Sequence, residues 1–414
     1  MNKPWNRISA ALRGRVVGST GWAMAAVAVS SVTGIITARS LGSESRGTLA
    51  LALSIAGLCV LVSALGSNVS VRRHLPRNRQ VNRKGYERLS LFLSVPLLIV
   101  LAAVLYTVAT WIDPSVGSWK VGLAFMAYGF AYYLSNQALD LLNAMGLVVQ
   151  SARTNALGSA ICLLLVAIVT FLGWSLAGVI AAYAASAALQ SVAAYAIVLR
   201  REESRTGEVL GMRILLKDGS RLLGLNLGQS LAYRADTVML SALSSQHQVG
   251  LYAVAVTPAS ILRLPSAAVG QVAFHQAAAG DAGTRQILAR LAKLTGILIP
   301  LAVCGWLLAD WVIPLMYGAE YRDAVGAFRI LLVAEIALAP FLVLSRTMAG
   351  SGNTWGASAA GLMGVAALVA SGAVLIPGQG AEGAAWASVI AYSAMSATAC
   401  LALWIGVRTS RRRA

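Results

Sequence analysis

Apolar residues run in long uncharged stretches along this chain, and polar residues gather in short clusters between them. A helix needs about 20 predominantly apolar residues to cross a hydrocarbon layer roughly 30 Å thick. Twelve stretches meet that requirement: 16–38, 48–70, 89–112, 121–146, 155–173 and 175–199, then 219–243, 250–278, 291–311, 324–345, 355–376 and 383–407. The fifth and sixth are divided only by Gly173-Trp174, the weakest boundary of the set. The longest central polar segment, 200–218, leaves six runs on either side. The expected fold is an all-α polytopic membrane protein of about twelve transmembrane helices in two six-helix lobes, at 1–199 and 219–414, with 200–218 as the linker.

Lys and Arg orient these spans, because cytoplasmic loops retain positive charge. With the N-terminus inside, 26 basic residues fall on the inner side and four, Arg39, Arg46, Lys120 and Arg322, on the outer side. The expectation is a multi-pass protein with both termini cytoplasmic. Composition agrees: 58% of the residues are hydrophobic, 12% are charged and mean hydropathy is +0.72, values that exclude a soluble globular enzyme. The net charge of +18 could suggest nucleic acid, but the cations lie between apolar runs without an aromatic-interleaved groove, so no nucleic-acid partner is expected. The first run follows a basic segment as a signal peptide would, yet it continues past the usual ~15 apolar residues to spanning length. Cys59, Cys162, Cys304 and Cys400 lie inside spans without short mutual spacing, so neither a disulfide framework nor a metal site is implied.

The two halves look related. Leu-Gly-Ser-Glu-Ser-Arg-Gly-Thr-Leu-Ala follows the first span at 41–50, and Leu-Ser-Ser-Gln-His-Gln-Val-Gly-Leu-Tyr-Ala follows the seventh at 243–253. Matching Gly47 with Gly250 superposes a short turn, a glycine and the start of a helix rich in small residues. Six spans per half make this a parallel repeat, related by a pseudo-two-fold axis, an arrangement that places a substrate path between halves.

Polar groups at membrane depth are costly unless they face protein or water. In the seventh span Asn226, Gln229, Ser230, Tyr233, Arg234, Thr237 and Ser241 share one broad face at helical spacing, either lining a hydrated space or forming a seam against neighbouring helices. Arg234 and Asp236, two residues apart, point to different sides. The fourth span carries Tyr132, Tyr133, Asn136, Asp140 and Asn143; rings beside amides suit a sugar, and interfacial tyrosines with a structural Asp are the alternative. Pro258 and Pro265 bracket Arg263 in the eighth span, predicting a kink and a buried cation suited to phosphate or paired with Glu335 or Asp236. Glu335 lies near the middle of the tenth span, while Arg329 is close enough to the surface to snorkel. Asp236, Glu335 and Asp140 are the ion-coupling candidates. The deep charges balance, Arg234, Arg263 and Arg329 against Asp140, Asp236 and Glu335. No catalytic residue and no cofactor is expected, beyond H+ or Na+ as a coupling ion.

Ala38-Arg39-Ser40-Leu41-Gly42 with Arg46-Gly47, Asp236-Thr237-Val238-Met239-Leu240 with Val249-Gly250-Leu251-Tyr252-Ala253, Pro314 through Tyr321, and Ala349-Gly350-Ser351-Gly352-Asn353 occur in an order and spacing that resembles bacterial polysaccharide-export flippases. These form the Wzx-type branch of the multidrug/oligosaccharidyl-lipid/polysaccharide exporter superfamily. The resemblance covers nearly the whole chain. It implies translocation of an undecaprenyl-pyrophosphate-linked oligosaccharide across the bacterial cytoplasmic membrane by alternating access, for cell-surface polysaccharide biosynthesis. The implied partners are that glycolipid, membrane lipids, and a polysaccharide polymerase and glycosyltransferases. In this reading Arg234 and Arg263 hold the diphosphate or anionic sugars, and Tyr132, Tyr133, Asn136 and Asn226 contact the substrate. The rivals are a cation-coupled exporter of small drugs, a membrane-embedded glycan-modifying enzyme, and a scaffold.

Overall fold

The computed structural model describes residues 4–75, 83–200, 211–278 and 284–411. Most of the linker, 201–210, and part of the first basic loop, 76–82, lie outside the described residues. Thirteen α-helices make up the described chain: α1 Pro4–Ser63, α2 Ser67–His74, α3 Arg83–Trp111, α4 Trp119–Ala144, α5 Val148–Phe171, α6 Leu176–Leu199, α7 Gly211–Ala232, α8 Ala235–Leu243, α9 Gln246–Ala259, α10 Arg263–Ala278, α11 Thr284–Tyr317, α12 Ala324–Gly350 and α13 Thr354–Arg411. No strand occurs among the described residues.

Among the described residues, eight stretches are long and apolar enough to cross a membrane, and two of these, 46 residues at Gly18–Ser63 and 51 at Trp355–Ile405, have double length. Each double stretch is broken once by a glycine with positive φ, Gly42 at 73° and Gly380 at 54°, a conformation that a Cβ disfavours. They therefore supply two crossings each, giving ten. The tyrosine- and amide-bearing α4 and the interrupted pair α7–α8 complete the twelve. The weak fifth-to-sixth boundary is a tight turn, with Gly173 at φ 68° between Phe171 and Leu176.

These helices do not show the one-sided apolar stripe of a soluble protein. On α3, Leu89, Leu93, Leu97 and Leu101 are buried while Leu91, Phe92, Val95 and Ile99 are exposed. A helix that is apolar on every side belongs in lipid. With lipid as apolar as the core, association rests on close packing, which small residues permit.

The chain forms two compact units. The first comprises Met1–Ser40 and Ala56–Leu223, the second Leu41–Ile55 and Gly224–Ala414. The second unit thus includes the segment 41–55 that carries Gly47, and Gly47 meets Gly250 there reciprocally. A Cβ on Gly47 would collide with the Gln246 carbonyl, and one on Gly250 with the Ser43 carbonyl. Ser43 stands four residues before Gly47, and Gln246 four before Gly250, so each partner touches the other in the same way. Such reciprocity is the signature of two-fold-related elements. Ser43 Oγ and His247 Nδ1 add a 2.8 Å hydrogen bond at this crossing.

A second glycine contact sets the position of α7. A Cβ on Gly228 would lie 2.7 Å from Gly361 Cα, and one on Gly361 3.1 Å from Gly228 Cα. Gly228→Leu is expected to lower stability by roughly 1–3 kcal/mol through overpacking, read as a lower unfolding midpoint in detergent. An unchanged midpoint would contradict this crossing.

Candidate functional site

The seventh span is two helices. After Ala232 the chain leaves helical geometry at Tyr233 and Arg234, and α8 restarts at Ala235. An interrupted membrane span exposes helix ends that can meet charged groups away from either surface. Asp236 occupies the first turn of α8, where the positive end of the helix favours a carboxylate. It is 4% exposed. Asp236 Oδ1 accepts from the Thr237 backbone N–H at 2.6 Å and the Thr237 hydroxyl at 3.2 Å. Asp236 Oδ2 accepts from Tyr252 Oη at 2.6 Å, and Tyr252 Oη also lies 3.1 Å from Ser388 Oγ. The seventh and eighth spans therefore meet at this carboxyl, the twelfth joins through Tyr252 Oη, and no described Lys or Arg makes an ion pair with it.

Arg263 stands where the eighth span is interrupted. Pro258 and Pro265 cannot donate to the helical ladder, and a short 3-10 turn at Ser260–Leu262 joins α9 to α10 at the predicted kink. Arg263 and Glu335 of α12 form a two-pronged ion pair, with Nε donating to Oε2 at 3.0 Å and Nη2 to Oε1. Glu335 is 3% exposed. Of the two partners foreseen for Arg263, Glu335 is the one bonded. The guanidinium also lies 4.1 Å from the ring centroid of Tyr233, in cation–π contact. Tyr233 receives a 2.9 Å hydrogen bond from Gln229 and meets Tyr392 edge to face at 6.0 Å. Tyr392 is buried and lies within electrostatic reach of Arg263, Asp236 and Glu335.

The other predicted residues have partners of their own. Arg234 donates to the Leu53 carbonyl at 3.2 Å. Asp140 forms an ion pair with Arg72, whose side chain is half-exposed. Tyr132 stacks on Tyr128 at 5.5 Å, and Tyr133 is fully buried with its hydroxyl donating to the Ser90 carbonyl at 3.0 Å. Asn136 Nδ2 donates within its own helix to the Tyr132 carbonyl. The side chain of Asn226 lies outside the described residues. Among the side chains named in advance as binding or coupling groups, Arg263, Asp236 and Glu335 are brought together. Tyr252, Ser388 and Tyr392 join them without having been foreseen. Tyr252 carried one available signal, standing two residues after the repeat glycine Gly250.

The cluster combines a fixed cation that binds carboxylate or phosphate through two parallel hydrogen bonds, a carboxyl held by hydroxyls, and three aromatic rings. A ligand phosphate reaching Arg263 would exchange one bidentate partner for another and release Glu335. Asp236, held by neutral donors, could take up a proton or contact a small cation.

The fold is that of the MOP-superfamily transporters. An inward-facing MATE family transporter of that superfamily matches at a TM-score of 0.70 with 17% identity, over 96% of this chain and 98% of the other. The lipid II flippase MurJ in an inward closed conformation matches at 0.72 with 11% identity, over 94% and 87%. A MOP-superfamily transporter from Pyrococcus furiosus matches at 0.64 with 16% identity, over 97% and 96%. No curated protein matches in sequence. Residues 18–274 match the model of the polysaccharide biosynthesis protein family, and the chain belongs to that family.

Proposed function

We propose that this protein is a flippase that moves an undecaprenyl-pyrophosphate-linked oligosaccharide from the cytoplasmic to the outer leaflet of a bacterial cytoplasmic membrane by alternating access. The observation that carries the reading is the Arg263–Glu335 pair against Tyr233 at the interrupted seventh and eighth spans, in a chain of the polysaccharide biosynthesis family. Stabilising a part-buried guanidinium with a single carboxylate leaves a site where another bidentate anion can compete, and a pyrophosphate is such an anion. The polyprenyl tail stays in lipid while the head group passes through protein. Asp236 is the coupling residue for H+ or Na+, because it is buried, bonded to hydroxyls and not engaged by a cationic side chain. Both termini are cytoplasmic, and the glycosyltransferases that build the glycolipid and the polymerase that uses it are the functional partners.

Deleting the protein from its native cell tests this reading. Complete lipid-linked oligosaccharide is expected to accumulate on the cytoplasmic face while surface polysaccharide disappears. Failure of glycan assembly itself would point to an enzyme or scaffold, and unchanged surface polysaccharide with altered drug efflux to a drug exporter.

A further inference from the structure

The first unit has a second polar set, built without charge. Gln190 of α6 accepts from Ser135 of α4 at 2.6 Å and donates from Nε2 to Asn155 Oδ1 of α5 at 3.1 Å. Gly158 makes the room: a Cβ there would lie 2.7 Å from Gln190 Cδ. One turn further along α5, Ser159 receives a 3.4 Å hydrogen bond from Ser30 of α1. Other hydroxyls of α1 turn back on their own helix, as Ser31 does to the Val27 carbonyl and Thr33 to the Val29 carbonyl. Ser30 reaches across instead.

These groups sit inside the crossing helices, and the fifth of these starts at Val148, seven residues before the apolar run at 155–173. Asn155 is seven residues into α5 and Gln190 nine residues from the end of α6, about 10 and 14 Å at 1.5 Å per residue. Asn155 and Ser30 are nevertheless exposed. The opposite face of α5 shows where lipid lies: Leu157, Leu164, Ile168 and Phe171 are all exposed there. Residues 155 and 159 are about 40° from each other and each about 200° from 157 at 100° per residue. An exposed amide about 10 Å inside a crossing helix is costly in hydrocarbon, so the Asn155 face opens on water. Arg153 shares the Leu157 side and lies over Trp22 at 5.9 Å, which leaves the Asn155 patch neutral. Amides and hydroxyls that both donate and accept, one turn of α4 from the half-buried Tyr132 ring, match an uncharged sugar.

We infer that Asn155, Gln190, Ser159 and Ser30 form a subsite of the first unit for uncharged sugar rings of the lipid-linked head group. The inference rests on the flippase reading for its ligand, and on the exposure and hydrogen bonding of these residues for its position. Asn155 and Gln190 contact hydroxyl or acetamido groups, and Ser135 and Gly158 position Gln190.

The test uses the full-length protein in proteoliposomes, with Cys59, Cys162, Cys304 and Cys400 replaced by Ser. Asn155→Cys and Ser159→Cys are expected to react with a charged methanethiosulfonate reagent roughly tenfold or more faster than Leu157→Cys, because a thiolate forms only where water reaches the sulfur. Equal or slower reaction at 155 overturns the hydrated face. Binding is then compared for a polyprenyl-pyrophosphate-linked disaccharide and for polyprenyl pyrophosphate without sugar. Asn155→Leu is expected to weaken the sugar-bearing probe about three- to tenfold, the value of one net hydrogen bond, and to leave the sugar-free probe unchanged. If the protein with Asn155 intact binds both probes and the variant binds them equally well, the subsite falls while the flippase reading stands. If the protein with Asn155 intact binds neither, the flippase reading itself falls and the subsite loses its ligand.

Discussion

Glu335→Ala is expected to destabilise the protein by about 2–3 kcal/mol, because it leaves the part-buried Arg263 guanidinium without its counter-ion. Tyr233, whose ring lies 4.1 Å from the guanidinium, can offset only part of that loss. Arg263→Ala is expected to cost clearly less. A carboxylic acid left alone can neutralise itself by taking up a proton, whereas a guanidinium stays charged at every accessible pH. Replacing both residues, as Arg263→Met with Glu335→Met, should recover most of the lost stability, since a buried ion pair often contributes little over well-packed apolar side chains. The three variants and the unmodified protein form a double-mutant cycle, measurable by unfolding in bicelles or mixed micelles. Comparable losses for the two single variants, or a loss under about 1 kcal/mol for Glu335→Ala, would contradict a buried and dependent pair. Transport should fail in the double variant despite its recovered stability, which separates the role of the pair in function from its role in folding.

The second large effect is at Asp236. Asp236→Asn keeps the size of the side chain and an oxygen that accepts from Thr237, with its Nδ2 donating to Tyr252 Oη where the carboxylate accepted, but removes the group that can exchange a proton or hold a cation. If Asp236 couples transport to an ion, the variant should fold normally and its gradient-driven flipping should slow by at least about tenfold, equivalent to 1.4 kcal/mol. Flipping without a gradient should change much less. A variant that responds to imposed proton and sodium gradients as the unmodified protein does would remove Asp236 from the coupling role. Asp140 offers a control: its partner Arg72 is half-exposed, and Asp140→Asn is expected to leave the gradient response intact.

Much of this molecule can be read in advance, and the parts that cannot share a physical reason. Span positions follow from the length of apolar runs, and turns such as Gly173 and the kink between Pro258 and Pro265 follow from backbone chemistry local to a few residues. The Gly47–Gly250 match is also local at each site, which is why a loose repeat identifies two helices that meet at those glycines. The break at Tyr233–Arg234 is different, for neither glycine nor proline marks it. Nor does anything near Arg263 say that Glu335, 72 residues away, is its partner rather than Asp236. In water the polar face of a helix points outward; in a membrane both lipid and core are apolar, as α3 illustrates. Periodicity then groups polar residues on a face without saying what that face meets. Tyr252, Ser388 and Tyr392 are found only when the helices are assembled, because their bond or proximity to Asp236 crosses from one span to another.

Movement of a glycan head group from one leaflet to the other is measured directly by leaflet sidedness. Vesicles containing a labelled undecaprenyl-pyrophosphate-linked oligosaccharide, with or without the purified protein, are exposed to a membrane-impermeant reagent that modifies only outward-facing sugars. With the protein present and an ion gradient imposed, the protected pool should become accessible, and in protein-free vesicles it should stay protected. A protected pool that persists under every proton and sodium gradient would show that the protein does not flip this glycolipid.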